Sequence, residues 1–458
     1  MARAMEQDFS NLVDDTIAKC SEIADKGNLA QAIEGLLALE KQTRTAGDAS
    51  STGRILVCII DLCYKAKDYK SLNEHVLLLN KRRSQLKGAI KDMVKRCMHY
   101  LGSLPYDKEM ELIDALISVT EGKIFVEKQR ARLMLHLSKI REKEGNIATA
   151  ASILQEVQVE TFGSMKKKEK TEYILEQMRL SLLKKDYIHA QIISKKINLK
   201  NLNDPDFQQI KVRYHMLMID YYNHEKHYLN IFRSYQAIYD TPMIQEDDAK
   251  WKLYLSLSVV YLVLAPYDNE QFDLLNRTAL DKRLEFLPLY LNVIKSFLKP
   301  ELLGWKQFYS QVASEFECLP AFRTSTNSES RKNKEIWEDL HNRVTEHNIR
   351  VIAKYYSLIS MKRLAQLLDL EYDSCNKYVC DLVLKKSVFA RIDRINGTVN
   401  FVRRQEASET LNDWAGDITS LLALVDKTCH LIYRENMMHA NETNAKKNTE
   451  MSGVVESK

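Results

Sequence analysis

Apolar residues recur along most of the chain at the three- and four-residue spacing of amphipathic helices, interrupted by short polar turns. A second helical stretch, with small or apolar residues at its start, follows each turn. The turns fall 39 to 41 residues apart, at Asn28, Asp68, Asp107, Asn146, Asp186, His227 and Asp268. Such a period is typical of stacked helical hairpins, because one hairpin cannot cover its own apolar face. The pattern predicts a mainly α protein that begins with a right-handed, TPR-like helical-repeat solenoid.

Two further features support this prediction. Gly27 and Gly145 fall where glycines commonly end a helix. The most apolar stretch, LSLSVVYLVLA from Leu255, is about half the ~20 residues that a membrane crossing requires. We therefore expect a buried helix there and no membrane-spanning segment.

The organisation changes after a polar segment, Thr324–Glu335, which we expect to be an exposed loop. Three helical segments follow, namely HNIRVIAKYYSLIS, MKRLAQLLDL and YDSCNKYVCDLVLKK. After them, β-forming residues flank Asn396-Gly397, a pair that favours a two-residue hairpin turn. Three helices followed by a two-stranded wing is the order of a winged helix.

The last helical segment has heptad spacing. Its apolar positions are Leu411, Trp414, Ile418, Leu421, Val425 and Ile432, widened by Leu422, Leu424 and Leu431. About 28 residues make a helix of ~42 Å, longer than a winged helix can cover. We expect it to pack against helices of other chains, with folding back onto its own solenoid as the alternative.

These patterns predict five regions. They are a helical-repeat solenoid (1–240), a further helical part (241–345), a winged helix (346–404), a C-terminal bundle helix (407–438) and a disordered tail (439–458).

Composition narrows the class of protein only slightly. The formal net charge of +5 over 458 residues is weak for a dedicated nucleic-acid binder. The eight cysteines include no CxxC pair, so we expect free, mostly buried thiols and a cytoplasmic or nuclear protein.

No catalytic, cofactor-binding or metal-binding residue is predicted. Phosphate-cradling glycine loops, zinc-ligand spacings and nucleophile motifs are missing from the sequence. The closest histidine pairs, His224 with His227 and His341 with His347, are expected on exposed helix faces.

Winged helices often read DNA with their third helix, so that alternative needs weighing. Here Lys377, Lys385 and Lys386 are balanced by Glu371, Asp373 and Asp381. A groove-reading helix presents a basic face instead. Protein binding along the edge of the wing is the favoured interpretation, because an outer strand leaves backbone groups unpaired.

A helical solenoid, a winged helix and a long last helix resemble the PCI family, which is shared by the proteasome lid, the signalosome and a translation initiation complex. The blocks SMKRLAQLLDL, FARIDRINGTVNFV and LNDWAGDITSLLALVDKTCHLI carry the resemblance. KRRSQLK (81–87) and LNDWAGDITSLLALVDKT are more similar to the lid member than to its signalosome relative.

The resemblance implies a non-catalytic scaffold for ubiquitin-dependent protein degradation in the cytoplasm and nucleus. Its partners would be other lid PCI subunits, the metal-dependent deubiquitinase of the lid and, through the solenoid arm, the ATPase ring or core particle. Alternatives are a signalosome subunit or a nucleic-acid-binding module. The implied wing contacts are Arg391, Asp393 and Asn400, and the implied bundle contacts are Trp414, Ile418, Leu421, Leu422 and Val425.

Overall fold

The computed structural model describes residues 9–25, 28–320, 322, 327–402 and 407–455. They form two compact units. The first takes in Met1–Lys295 with Leu319–Ala321, and the second takes in Ser296–Cys318 with Phe322–Lys458. The five predicted regions divide the chain more finely than this and stay predictions.

The first unit is a succession of helical hairpins, as the sequence predicts. Its helices are α1 (Ser10–Asp25), α2 (Leu29–Ala46), α3 (Ala49–Lys65), α4 (Tyr69–Lys81), α5 (Lys87–Tyr100), α6 (Tyr106–Thr120), α7 (Glu127–Lys143), α8 (Ile147–Gln155), α9 (Lys167–Leu183), α10 (Tyr187–Lys195), α11 (Gln208–Glu225), α12 (Tyr228–Tyr239), α13 (Pro242–Gln245), α14 (Asp248–Leu264) and α15 (Asn269–Ala279). Helix α16 (Pro288–Leu298) crosses the boundary between the units.

The predicted turns lie where each hairpin closes. The residue immediately before the second helix is Asn28, Asp68, Asn146, Asp186, His227 or Asp268. Asp107 lies in the first turn of α6 instead. Gly145 has the positive φ expected of a helix-ending glycine, whereas Gly27 lies outside the described residues. Lysines take this left-handed conformation in the equivalent turns, at Lys67, Lys185 and Lys226.

The interiors of the hairpins fill two continuous apolar clusters, one spanning Val13 to Leu137 and one spanning Ala131 to Tyr221. Helix α14 is buried on nearly all sides from Leu255 to Leu264, which confirms the buried helix predicted there. The hairpins from α1 to α11 therefore share two large cores and do not each have a small core of their own.

Ion pairs between the first helices of consecutive hairpins accompany this core. Arg96 on α5 donates to both oxygens of Asp61 on α3, at 2.8 and 2.9 Å. Arg179 on α9 donates to Glu142 on α7 at 2.6 and 2.7 Å, and also to Glu176 on its own helix. Arg213 on α11 reaches the same Glu176 at 2.5 Å. These bonds link α7, α9 and α11 in one network.

The KRRSQLK run has a structural role within the first unit. Its Arg82 and Gln85 both donate to the carboxylate of Glu40 on α2, which is fully buried, and Arg44 donates to the same group. Arg44 also donates to the carbonyl of Arg83. A buried carboxylate requires such partners, so this cluster fixes the path of the chain between α4 and α5.

The second unit contains the predicted winged helix. Its elements are α17 (Trp305–Phe316), α18 (Asn327–Tyr355), β1 (Leu358–Ser360), α19 (Met361–Leu368), α20 (Tyr372–Leu384), β2 (Arg391–Asp393), β3 (Thr398–Asn400) and α21 (Ala407–Val455). The three helices of the module meet around a core that includes Ile352, Leu364, Val379 and Val399. Helix α18 already begins at Asn327, so most of the loop predicted at Thr324–Glu335 is helical, because its Glu, Lys and Arg residues are good helix formers.

The position of His347 on α18 differs from the exposed helix face expected for it. His347 is buried, its ring packs edge-on against Phe297 at 5.4 Å, and its Nε2 lies 3.2 Å from the carbonyl of Glu301. The neighbouring Asn348 bonds both the N–H and the carbonyl of Leu303, each at 2.8 Å. His347 therefore holds the segment before α17 in place and is not on an exposed face.

Helix α21 continues to Val455, well past the predicted end at 438. The segment for which a disordered tail is predicted is thus described as helix as far as Val455, and residues 456–458 lie outside the described range. Alanine, glutamate and lysine residues in this segment have favourable helix propensities despite its polarity.

Candidate protein-interaction surfaces

The wing is a three-stranded sheet in the order β1-β3-β2, not the predicted two-stranded hairpin. Both pairings are antiparallel, with Val399 opposite Ile359 on one side and Ile392 on the other. Strand β1 escaped prediction because only three residues after α18 form it. The outer strands are β1 and β2, so the backbone edge available to a partner strand belongs to these two and not to β3.

The three predicted wing contacts occupy different places in this sheet. Arg391 is exposed on the outer strand β2. Asn400 is exposed on the central strand β3, opposite both Leu358 and Arg391, and its Oδ1 accepts the N–H of Val402 at 2.9 Å. Asp393 lies at the end of β2. Their role in an interface stays a prediction. Arg391 lies in the edge strand β2, whereas the side chains of Asp393 and Asn400 take part in local hydrogen bonds.

The carboxylate of Asp393 closes the wing loop. Its Oδ1 accepts the N–H of Ile395 at 3.0 Å, and its Oδ2 accepts the side chain of Asn396 at 2.8 Å. The Asn396 bond is the main cause of a lowered pKa for this carboxyl. Because Asp393 pairs with Thr398, the loop has four residues, and Gly397 alone takes a positive φ, where a two-residue type I′ turn needs two such residues.

The tip of the wing carries an apolar side chain. Ile395 is 96% exposed in the middle of the loop. Leu384, at the end of α20, is 80% exposed, and Leu358 on β1 is exposed as well. These three side chains are candidate contact points for a protein partner.

Helix α20 has fewer available cations than its sequence suggests. Lys385 lies 3.2 Å from Glu346 on α18, and Glu346 also pairs with Arg343 at 2.6 Å. The ion pair removes one of the three lysines that a DNA-reading helix would use, which strengthens the case for a protein partner.

Helix α21 presents a long row of exposed apolar side chains. The predicted bundle residues are all exposed: Trp414 is 63%, Leu421 61% and Leu422 61% exposed, and Ile418 and Val425 are exposed as well. Every side chain described from Leu411 to Ala440 is exposed. This apolar surface is therefore in contact with water in the isolated chain, at a cost in free energy that burial against other apolar groups would remove.

Additional apolar residues on α21 escaped the heptad analysis. Tyr433, Met437 and Met438 are exposed and extend the apolar surface toward the later turns of the helix. They do not continue the seam, because at 100° per residue they lie to either side of it. The signal that could have found them is their apolar character alone.

The described residues offer little evidence of a catalytic or metal-binding site. Burial raises the pKa of the Cys58 and Cys63 thiols to about 11 and that of Cys97 to about 12, so these groups stay protonated, and all eight cysteines are free. Burial likewise lowers the pKa of His347 to about 4. Within the described ranges, no three His, Cys, Asp or Glu side chains come together as a metal site, and no described helix is long and apolar enough to cross a membrane.

Family comparisons agree with this architecture over three segments of the chain. Residues 31–247 match the model described as PSMD12/CSN4, N-terminal, and residues 324–403 match the PCI domain. Residues 408–440, the first part of α21, match the 26S proteasome regulatory subunit RPN5 C-terminal domain. A helical-repeat arm, a PCI module and a long last helix together define a PCI-domain subunit of the kind that builds large assemblies.

Full-length relatives narrow this class to one family. The chain is 44% identical to the 26S proteasome non-ATPase regulatory subunit 12 of Dictyostelium discoideum, over 95% of this chain and 96% of the relative. It is 40% identical to homolog A of that subunit in Arabidopsis thaliana, over 91% and 99%, and 38% identical to the 26S proteasome regulatory subunit RPN5 of Saccharomyces cerevisiae, over 95% and 97%. The chain belongs to the family of 26S proteasome non-ATPase regulatory subunit 12, which confirms the resemblance drawn from its sequence.

Proposed function

We propose that this protein is a non-catalytic scaffold subunit of the lid of the 19S regulatory particle and supports ubiquitin-dependent protein degradation. The observation that carries the proposal is the uncovered apolar surface of α21, in the segment that matches the RPN5 C-terminal domain. The names of its relatives describe regulatory, non-ATPase subunits of the 26S proteasome. Membership of this family favours the lid over the signalosome, although the N-terminal match is to a model that spans both.

The mechanism is assembly by burial of apolar surface. Fully burying a leucine or isoleucine side chain contributes about 1.5 to 3 kcal/mol, so a few heptads of α21 are sufficient to anchor the subunit in a helical bundle. The second contact is the edge of the wing, where β2 and Arg391 would meet a neighbouring PCI subunit.

The solenoid is proposed to be an arm that reaches the metal-dependent deubiquitinase of the lid and the ATPase ring or core particle. Exposed apolar side chains on its helices support a role in binding. Ile188 and Ile192 lie on α10, and Leu199 follows it. The proposed location of the subunit, in the cytoplasm and nucleus, is that of the assembly it joins.

A pair of matched double variants tests the bundle contact. Trp414→Glu with Leu421→Glu puts two charges on the apolar seam, while Thr419→Glu with Ala423→Glu puts the same charges about 140 to 180° away on the helix. Tagged chains would be expressed in cells and the lid purified through another subunit. We expect the seam variant to be lost from the lid and the control variant to be retained.

Two readouts keep this test decisive. Circular dichroism of each purified chain checks that both variants keep their helices, since all four positions are exposed. Native mass spectrometry identifies the complex by the masses of its subunits. Retention of the seam variant at the level of the control would overturn the proposal, and recovery of the wild-type chain in signalosome particles alone would assign it to the other assembly.

A further inference from the structure

An aromatic cleft in the second unit is lined by residues of helices that precede strands β2 and β3 of the wing. It has a volume of about 440 Å³ and is lined by Trp305, Trp337, Glu338, His341, Asn342 and Tyr378. Three helices of the second unit supply these residues, namely α17, α18 and α20. Nothing in the predicted interfaces uses them.

The aromatic rings form a connected wall. Trp305 meets His341 edge-to-face at 4.7 Å between ring centres and lies 5.8 Å from Tyr309. Tyr309 in turn lies 4.9 Å from Trp337. Trp337 is anchored from behind by Phe322, at 5.0 Å. Trp305, Trp337 and His341 are half buried and Tyr309 is exposed, so each ring keeps part of its surface accessible.

The lining of the cleft also includes polar residues, one of which carries a negative charge. Glu338 and Asn342 are one turn apart on α18, on the same side of the helix. The Tyr378 hydroxyl donates to Asn342 Oδ1 at 2.6 Å, so this tyrosine is held in place. Burial, and after it the nearby carboxylates Glu346, Asp381 and Glu338, raise the pKa of Tyr378. Burial lowers the pKa of His341, which is thus neutral at pH 7, so Glu338 is the one charged side chain of the lining.

A site in the first unit, occupied by an arginine of the same chain, shows which group can bind to such aromatic rings. Arg283 lies over both Tyr239 and Trp251, with its guanidinium carbon 5.8 Å from each ring centre. The Tyr239 hydroxyl donates to Asp281 at 2.8 Å, much as Tyr378 donates to Asn342. Among the described residues, the cations that lie over aromatic rings are Arg96, Lys252 and Arg283, and none of them lines the cleft of the second unit.

We propose that this cleft binds an arginine side chain of a partner protein, with the guanidinium group stacked on the Trp305 and Trp337 rings and donating to the Glu338 carboxylate. A planar guanidinium both stacks on aromatic faces and binds a carboxylate through two N–H groups, which a lysine ammonium cannot do. The complementary charge of Glu338 favours a cation over an apolar or proline-rich segment. The inference goes beyond the lid assembly proposed above, and its test uses the isolated full-length chain.

The four tryptophans of the chain allow a direct test. The protein would be labelled with 5-fluorotryptophan, and each ¹⁹F resonance assigned with a single Trp→Phe variant. Acetyl-arginine amide would be titrated at constant ionic strength, with acetyl-citrulline amide as its uncharged counterpart of the same shape. We expect saturable shifts at Trp305 and Trp337 with arginine only. Trp251, whose site is filled by Arg283, and Trp414 on α21 serve as internal controls.

Substitutions at two carboxylates then distinguish binding in the cleft from attraction to the general charge of α18. Glu338→Gln removes the charge from the cleft and is expected to raise the Kd for acetyl-arginine amide about tenfold, as for other hydrogen bonds to charged groups. Glu335→Gln, one turn earlier on α18, is the matched control and should leave the Kd unchanged.

Several results would overturn the proposal. They are equal shifts with citrulline, an unchanged Kd in Glu338→Gln, and the lack of any shift at Trp305 and Trp337. Stronger shifts with acetyl-proline amide would mean that the cleft prefers an apolar ligand. Shifts that grow with protein concentration alone would mean that a second copy of the chain occupies it.

Discussion

The hairpins of the first unit and helix α21 of the second are both rich in leucine, isoleucine and aromatic residues. The hairpins bury these side chains, whereas α21 exposes them. Side chains such as Leu36, Ile59 and Phe232 are essentially inaccessible to water in the repeat array. On α21, Leu421 and Trp414 are more than 60% exposed. In the array, the next hairpin covers each apolar face, whereas α21 has no next hairpin.

Polar groups follow the same division. In the array, Arg179 joins α7 to α9, and together with Arg213 it satisfies Glu176, whose pKa burial would raise but which these two arginines lower instead. On α21, the charged and apolar side chains described from Leu411 to Ala440 are alike exposed to solvent. One region therefore completes its contacts within the chain, and the other leaves them for a partner, which is what an assembly subunit requires.

The largest expected effect on the free energy of unfolding comes from truncating a side chain in the core of the array. Truncation of a side chain on the seam of α21 is the comparison. Phe232→Ala empties a fully buried position and should lower the free energy of unfolding by about 3 to 5 kcal/mol. Leu421→Ala should change it by less than about 0.5 kcal/mol, because the side chain is exposed in the isolated chain. Urea denaturation followed by circular dichroism measures both, and equal losses would mean that α21 is packed in the free protein.

A buried charge gives the next largest effect. Glu40→Gln leaves Arg44 and Arg82 without their counter-charge in a largely buried site and should lower the free energy of unfolding by about 3 kcal/mol. The control, Glu111→Gln, removes an exposed pair with Lys108 and should cost no more than about 0.5 kcal/mol. Similar losses in the two variants would show that the Glu40 cluster does not hold the array together.

The local features of this fold were open to prediction from sequence. Turn residues such as Asp68 and Asp186 act on their own helix ends, and the seam through Trp414 and Leu421 depends only on spacing along one helix. The periodicity of the chain therefore predicted the solenoid, the order of the winged helix and the exposed seam. These features need no knowledge of what lies nearby in space.

Contacts between distant residues were not open to prediction. Strand β1 exists because Ile359 pairs with Val399, 40 residues later, and a run of three residues carries no strand signal of its own. His347 is buried because α18 lies against the segment around Glu301. The cleft at Trp305 and Trp337 likewise depends on two helices meeting, so no motif in the sequence marks it.

The pH dependence of the free energy of unfolding tests the same contrast within the second unit. It compares the buried surroundings of His347 with the exposed helix α21. Burial lowers the pKa of His347 to about 4 in the folded chain, against about 6.5 when unfolded. Between these values the unfolded chain binds the proton, so the free energy of unfolding should fall as the pH drops from about 6.5 to 4, by up to about 3 kcal/mol. His347→Gln should flatten this part of the profile.

The control is Thr419→Ala, which changes an exposed residue of α21 that does not titrate in this pH range and should leave the profile as it is in the wild type. Urea denaturation at a series of pH values measures the slope for each chain. An unchanged slope in His347→Gln would mean that the imidazole has the same pKa in the folded and the unfolded chain. The surroundings of His347 would then be as accessible to solvent as α21.

The smallest expected effect concerns the turns that close the hairpins. Lys185 has a φ of +63°, a conformation that costs a residue with a Cβ about 1 kcal/mol or more. Lys185→Gly removes that cost, while the greater freedom of glycine in the unfolded chain offsets about half of it. The variant should gain about 0.5 kcal/mol, and the reciprocal Gly145→Ala, at a φ of +85°, should lose about 1 kcal/mol. If both variants are destabilised, the lysine at this turn stabilises the hairpin through its side chain, and the array depends on more than its apolar core and ion pairs.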